Sequence, residues 1–464
     1  MGNKESANTS KEREYSPIEA VPQEARHIGF LDLATTWAGT SLQPSVWTLA
    51  GITIGLGFVG GIAATVASTV FVYILIGLFG LMTYYVGTST MGLARFTMGI
   101  RGSKLISVAS IVNSVGWSVV ANYMAAITYS YVFNMLFGTP VYGAPGCEWI
   151  LVIGCLLNSI LSYLAISIGG TRSMKLFQYI MMIGLIILSI VLYIVIMQNL
   201  TVEDIRNFIV PDEMKGSIFG TFDTMVAILL TIFIIGGDLG RNVKSKTSAL
   251  WAPLVGGVFS LLLFVVMGQL GIILEYKTTG IFNMDAANPS SLAMSAGLGF
   301  VALVVVLFAT VTTNMMDVFT MSYATENLVP KLGYNKSVMI AGILPMLFCW
   351  LPVAVGSFID AFYVFADILG IIFPSMLVIM LMDYYVINKR EYDIKQIDTI
   401  KGKYWYTNGF NKYAISAWLL GAVVYLILHN ILMLSFFSNV VLTMIIDAII
   451  YYVMVQIAKK QQRT

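Results

Sequence analysis

Between Thr35 and Trp47 the chain reads TTWAGTSLQPSVW, inside an apolar run long enough to cross a bilayer. Pro44 has no backbone N–H and disfavours the helical conformation in Gln43 before it. Backbone groups released there cannot face hydrocarbon, where each unpaired amide or carbonyl costs several kcal/mol. They must line a protein-filled or water-filled cavity, and in transporters such cavities hold the substrate and its coupling ion. A packing kink is the other explanation of the same residues. A second break at the matching place further along the chain favours the cavity.

With 464 residues, 58% of them hydrophobic and 11% charged, and a mean hydropathy of +0.83, the chain reads as a polytopic membrane protein. A spanning helix needs about 20 apolar residues. That criterion predicts twelve segments, at 28–56, 59–90, 104–138, 148–169, 173–198, 218–239, 249–275, 292–323, 337–356, 359–386, 413–434 and 436–457. Residues 1–27 are polar, without the apolar stretch of a cleavable signal peptide, and are expected to form a disordered cytoplasmic arm. Cys147, Cys155 and Cys349 have no metal-binding spacing, and His27 and His429 are the only histidines, so neither a disulfide framework nor a metal centre is expected.

All but Arg206, Lys215 and Lys277 of the 26 basic residues fall in the segments that are inside when the N-terminus is inside. By the positive-inside rule both termini are then cytoplasmic, and the positive charge needs no nucleic acid to explain it. Segments 1–5 (28–198) and 6–10 (199–386) read as two repeats of five, the second entering from the opposite side. Residues 387–464 add a loop and two further helices. Segment 6 is then expected to break where segment 1 does, and TIFIIGGDLGRN (231–242) offers Gly236 and Gly237 followed by Asp238. Glycine pairs also serve close helix packing. Paired with Gly39–Pro44, they fit a five-plus-five inverted repeat with a site at mid-membrane.

Polar residues within the spans mark the candidate site. Segment 3 carries Asn113, Gly116 and Trp117, with Asn113 and Trp117 one turn apart on one face. Trp117 is either a core tryptophan or a flat wall for a planar ring, with Gly116 admitting a neighbour. Segment 8 reads ATVTTNMMD (309–317). Thr312 and Thr313 offer uncharged oxygens suited to Na⁺, or they bond back to the carbonyl one turn earlier. Asp317 and Asp367 are costly inside a membrane unless partnered or functional, and either could couple to a proton. Asp238 and Arg241 are expected to form an ion pair closing the inner half of segment 6.

SLQPSVW (41–47), LARFTMGIRGS (93–103), VGW (115–117), GDLGR (237–241) and TTN (312–314) together resemble the nucleobase–cation symporters, the purine/cytosine permeases with their hydantoin and allantoin relatives. The resemblance runs across segments 1–10 and implies an all-α fold of the leucine-transporter type, five plus five inverted with two extra helices. It also implies that Trp117 stacks on the substrate ring and that Gln43 in segment 1 and Asn314 with the turn after it in segment 8 are polar contacts; Ser41, Gly236 and Asp317 are further candidate substrate-binding residues. Ala309, Thr312 and Thr313, with backbone around Ala38 to Ser41, resemble the sodium ligands. The family usually closes the ring from the other side with Trp or Phe nine residues before the segment 6 aspartate. Here that position is Leu229, with Phe233 one turn on as a substitute. Four residues after the tryptophan some relatives have an amide; here Ala121 stands there, with Asn122 adjacent.

The reading is a secondary symporter importing a planar nitrogen heterocycle with Na⁺ or H⁺, with no other cofactor and no obligate protein partner. An amino-acid or other small-solute carrier of the same fold is the nearest alternative. No HExxH, Cys/His cluster or GxSxG is present, so an enzyme is not expected.

Overall fold

The computed structural model describes residues 19–356, 358–432 and 436–461. Eighteen α-helices follow one another: α1 Phe30–Ser41, α2 Pro44–Trp47, α3 Leu49–Thr53, α4 Gly57–Val86, α5 Thr90–Met98, α6 Lys104–Phe137, α7 Glu148–Asn199, α8 Val202–Arg206, α9 Ile218–Leu230, α10 Phe233–Gly240, α11 Lys246–Thr279, α12 Pro289–Ser295, α13 Gly299–Leu328, α14 Gly333–Met346, α15 Leu351–Val355, α16 Phe358–Met382, α17 Lys412–Leu426 and α18 Asn439–Gln461. Among the described residues, extended pairing is limited to the isolated bridges Ile28–Val243 and Thr407–Phe410.

Among the described residues ten stretches are long and apolar enough to cross a membrane, two of them within α7 (Glu148–Ile168 and Leu176–Asn199), or eleven when the bent pair α9–α10 is one span. The expected twelve differ at segment 1. Its outer part, α2 and α3, runs on into α4 as one apolar stretch, Pro44–Val86, and only α1 stands apart. Helical backbone also continues through the turn expected near 170–172, so segments 4 and 5 share the helical run Glu148–Asn199.

The core forms where small residues let backbones approach. A Cβ at Gly256 of α11 would stand 2.1 Å from the Ala34 carbonyl of α1, and one at Gly77 of α4 would stand 2.2 Å from the Leu250 carbonyl of α11. Those contacts hold α1, α4 and α11 together. A second group is α6, α7 and α13, and a third is α16, α17 and α18, with α16 and α18 both reaching α9. Ile180, Ile183, Ile187 and Ile190 of α7 point outward and exposed, as side chains facing lipid do.

Two expectations change at the base of the molecule. The arm is not disordered up to residue 27. Val21 and Arg26 are buried, and the Arg26 guanidinium donates to the Val21 carbonyl at 3.1 Å and the Tyr84 carbonyl at 2.6 Å. His27 and Ile28 donate backbone N–H to Asn242, so this strap joins the ends of α4 and α10. Residues 1–18 lie outside the described residues. The loop 388–411, expected only as a connection, is also docked. Asn411 Nδ2 donates to the Thr97 carbonyl at 2.7 Å, Tyr406 to the Phe96 carbonyl at 2.6 Å, and Arg95 pairs with Asp398 at 2.5 Å. Phe96 stacks on Tyr392 at 4.3 Å between ring centroids. The ARF sequence thus serves as the seat of that loop.

Candidate functional site

The break in segment 1 falls at Leu42 and Gln43. Leu42 N–H still bonds the Ala38 and Gly39 carbonyls, at 3.1 and 3.3 Å. Gln43 is extended, with φ −143° and ψ 151°, and Pro44 opens α2 as its first residue. This is the conformation expected of a residue before proline and the position where proline's missing N–H costs nothing. Through α2 the break packs on both α6 and α13. The helices bearing Trp117 and the Thr312–Thr313 pair therefore meet at the break.

The break in segment 6 is not at Gly236–Gly237. The chain bends by 42° between Leu230 and Phe233, and both glycines lie inside α10. They serve close packing instead. A Cβ at Gly237 would stand 2.2 Å from the Thr90 nitrogen, while Gly236 faces the Trp37 and Phe79 rings at 3.6–4.0 Å. Gly237 N–H donates to Thr90 Oγ1 at 3.0 Å, and that hydroxyl donates to the Ile234 carbonyl at 2.6 Å. The start of α5 is pinned to α10 by backbone contact that only glycine allows.

Trp117 is half-buried and meets two rings edge-on, Phe365 at 5.7 Å and Phe362 at 5.9 Å, both from α16. Gly116 admits Phe365, since a Cβ there would stand 2.0 Å from its ring. Phe233 does not supply the opposite wall in this conformation. It is fully buried, with its ring edge-on to Phe79 at 5.4 Å and against Phe373 at 6.1 Å. Leu229 is likewise in the core. The aromatic partners of Trp117 come from α16, and no spacing rule within segment 6 could have found them.

Asn314 is 0% exposed and belongs to a network rather than to an open surface. It bonds Ser118 through its carbonyl oxygen and donates to Asn122 Oδ1 at 2.9 Å. Asn158 donates to the same oxygen at 2.9 Å. Three buried asparagines thus tie α6, α7 and α13 together. Asn158 was not singled out from sequence, although an amide within an apolar segment was its signal. Asn113 is half-buried with its Oδ1 unpartnered, and Asp317 Oδ2 is likewise buried without a partner.

The oxygens expected to hold sodium are drawn back onto their own helix. Thr312 and Thr313 both donate to the Ala309 carbonyl at 2.9 Å, the local bonding that threonine offers in helices. The Ser41 hydroxyl lies 3.3 Å from the Tyr73 hydroxyl. Ala38 is half-buried on α1, which packs on α11. Asp367 is not isolated: it faces His429 at 3.4 Å, on the α16–α17 side of the molecule. Asp238 is exposed on α10, three residues before Arg241.

Every residue of α2 and α3 is buried. On α1, Leu31, Asp32, Thr35 and Thr36 are exposed, as is Asp238 of α10. The exposed polar faces lie on the N-terminal side of the break.

Residues 20–453 match the family of permeases for cytosine/purines, uracil, thiamine and allantoin. The purine-uracil permease NCS1 of Arabidopsis thaliana is 24% identical over 443 residues, covering 89% of this chain and 71% of that one. The allantoin permease of Bacillus subtilis (strain 168) is 21% identical, covering 91% and 89%. A shorter match of 208 residues, 26% identical, spans 42% of an Escherichia coli (strain K12) protein. The solved structure of Mhp1 in its inward-facing conformation superposes with a TM-score of 0.80 at 18% identity, over 96% of this chain and 94% of that one. Mhp1, a nucleobase-cation-symport-1 family transporter, in a closed conformation with bromovinylhydantoin bound, gives 0.73 at 16% identity, over 96% of each chain.

Proposed function

Because the chain belongs to the family of permeases for cytosine/purines, uracil, thiamine and allantoin, and is a multi-pass membrane transporter rather than an enzyme, we propose that it imports a planar nitrogen heterocycle with a coupled cation by alternating access. The observation that carries this is the convergence at the broken segment 1. Through α2 it meets α6, with a half-buried tryptophan, and α13, with a cluster of uncharged oxygens.

In this reading Trp117 stacks on the substrate ring, and Gln43, Ser41 and Asn113 offer polar contacts at its edge. Asn314 acts through the network that holds α6 to α13. Phe362 and Phe365 stand against Trp117 and would part from it when α16 moves. Ala309, Thr312 and Thr313 supply oxygens for Na⁺, a hard cation, together with carbonyls near Ala38 and Ser41. Asp317, with its unpartnered oxygen, is the group for H⁺ if the ion is a proton.

Residues 28–198 and 199–386 form the two inverted repeats, and the Lys/Arg-rich face is cytoplasmic in a cell membrane. The exposed residues of α1 and α10 then lie at the cytoplasmic end. Sodium binding would tie α1 to α13, so ion and substrate affinities rise together by linkage.

Thermal stability of the purified protein with nucleobases, hydantoins and allantoin, each in Na⁺ and in choline, tests the reading. Stabilisation by a heterocycle only with Na⁺ is the expected result. Stabilisation that follows pH and ignores Na⁺ would move coupling to Asp317. An amino acid binding where no heterocycle does would overturn the substrate class.

A further inference from the structure

The C-terminal helices hold a carboxyl that the proposed transport site does not use. Asp447 lies well inside α18 and is 0% exposed, where α18 packs on α16, α17 and α9. Neither of its carboxyl oxygens meets a hydrogen-bond donor of the protein in bonding geometry. The polar group it faces is the Ser375 hydroxyl of α16, which is also 0% exposed and also without a partner. On the other side is Gly421 of α17. A Cβ there would stand 2.1 Å from Asp447 Oδ2 and 2.4 Å from Oδ1, so glycine makes the room the carboxyl occupies. Three buried oxygens therefore converge between three helices.

The charged and titratable groups on the packed elements do not balance this carboxyl. On α16, Asp360 lies near the opposite end from Ser375, and Asp367 faces His429 at 3.4 Å. Just beyond α16, Asp383 receives Tyr392 and Tyr451, each at 2.5 Å, and Asn388 at 3.1 Å. On α17, Lys412 lies over the Tyr413 ring, and Tyr425 reaches Gly370. On α9, Asp223 accepts the Asn439 and Val440 N–H groups at the start of α18. On α18 itself, Tyr451 is committed to Asp383, and Lys459 and Lys460 sit in the last turn. Among the described residues no Lys, Arg or His acts on Asp447. An ionised carboxyl enclosed in this way is costly unless a cation is paired with it.

We propose that Asp447 and Ser375 form a binding site for one monovalent cation, H⁺ or Na⁺, between α16, α17 and α18 and separate from the transport site. Either ion brings the single positive charge that the enclosed carboxyl needs. A proton would let the carboxyl donate to Ser375 Oγ, whereas Na⁺ would use the oxygens as ligands. The helix supplying Ser375 also carries Phe362 and Phe365 against Trp117. Occupancy of the site is therefore linked to the position of α16, and through it to exposure of the tryptophan.

The test is the thermal stability of the purified full-length protein as a function of pH, in NaCl and in choline chloride, for wild type, Asp447→Asn and Ser375→Ala. If the ligand is H⁺, wild type loses stability with rising pH in both salts. If it is Na⁺, wild type gains stability with added Na⁺ at fixed pH. Asp447→Asn, which keeps the side-chain size and removes the charge, is expected to remove the part of that dependence that Thr312→Val leaves in place, and Ser375→Ala to weaken that part several-fold. Asp447→Asn retaining both dependences in full would overturn the site. Should Asp447→Asn fail to fold, Ser375→Ala carries the test, and an unchanged dependence in that variant also overturns it. Thr312→Val, altered only at the proposed transport site, should keep the Asp447 contribution, so failure of one site is distinguishable from failure of the other.

Discussion

Trp117 and Asn122 lie little more than a turn apart on α6, yet one is half-open to the site and the other is sealed behind it. The Phe362 and Phe365 rings stand steeply inclined to Trp117 rather than stacked on it, and the proposed role of its ring is to stack on a planar substrate. Replacing it with alanine would remove that proposed stack, worth about 0.5–1.5 kcal/mol beyond lost area. Trp117→Ala is expected to lose saturable uptake while still reaching the membrane, measured by labelled-substrate uptake beside surface labelling. Wild-type uptake in that variant would remove Trp117 from the site. Asn122 is different because its carbonyl oxygen accepts from two other asparagines. Asn122→Ala removes the acceptor of two buried NH2 groups, those of Asn158 and Asn314, at about 1–3 kcal/mol each. A clear drop in thermal midpoint is expected, and an unchanged midpoint would show that the network adds no stability.

At the scale of elements, α10 shows why a glycine pair does not mark a break by itself. Its glycines face α5 and the aromatic pair Trp37 and Phe79, so they are packing surfaces. Gly237→Ala forces a methyl group into the Thr90 backbone, and overpacking of this kind costs about 1–3 kcal/mol. The expected readout is a lower thermal midpoint, with Gly237→Ser no better. Outside the spans, α8 is tied to α11 by Lys277 Nζ and Asp204 at 2.7 Å. That lysine, with the Thr201 backbone and hydroxyl, lowers the Asp204 carboxyl from 3.8 to about 2. A depressed carboxylate contributes fully above its unfolded value and loses that contribution as pH falls through the folded one. Amide protection factors in 201–206, corrected for the intrinsic exchange rate, should therefore fall as pH drops from about 4 to about 2. Lys277→Met should move that fall to higher pH, and an unmoved profile would exclude the ion pair as its cause.

Across the whole molecule, the 388–411 loop gathers three separate parts of the chain. Asp383 accepts from Tyr392, Tyr451 and Asn388, and the loop itself closes over α5. Tyr451→Phe removes one bond of about 0.5–1.5 kcal/mol from a buried position. Faster limited proteolysis within 394–406 is the expected effect, with uptake measured alongside to separate loop docking from transport. Protection equal to wild type would mean that the other bonds hold the loop alone.

Much of this protein was legible in one dimension. Its membrane character, most span positions and the break before Pro44 follow from properties that act locally: apolar length against bilayer thickness, and a proline that cannot donate. The family resemblance was also legible, since ordered short motifs survive in sequence. What segment 6 does with its glycines was decided in three dimensions, because a missing Cβ permits either a bend or a close neighbour, and only the neighbour, Thr90, chooses. The same holds for Phe233, Asn314 and the arm at 19–27. An aromatic ring, an amide and a short polar strap each have several partners within reach of their chemistry. Tertiary packing selected Phe79, Ser118 and the Tyr84 carbonyl from helices far away in sequence, where no local spacing could point.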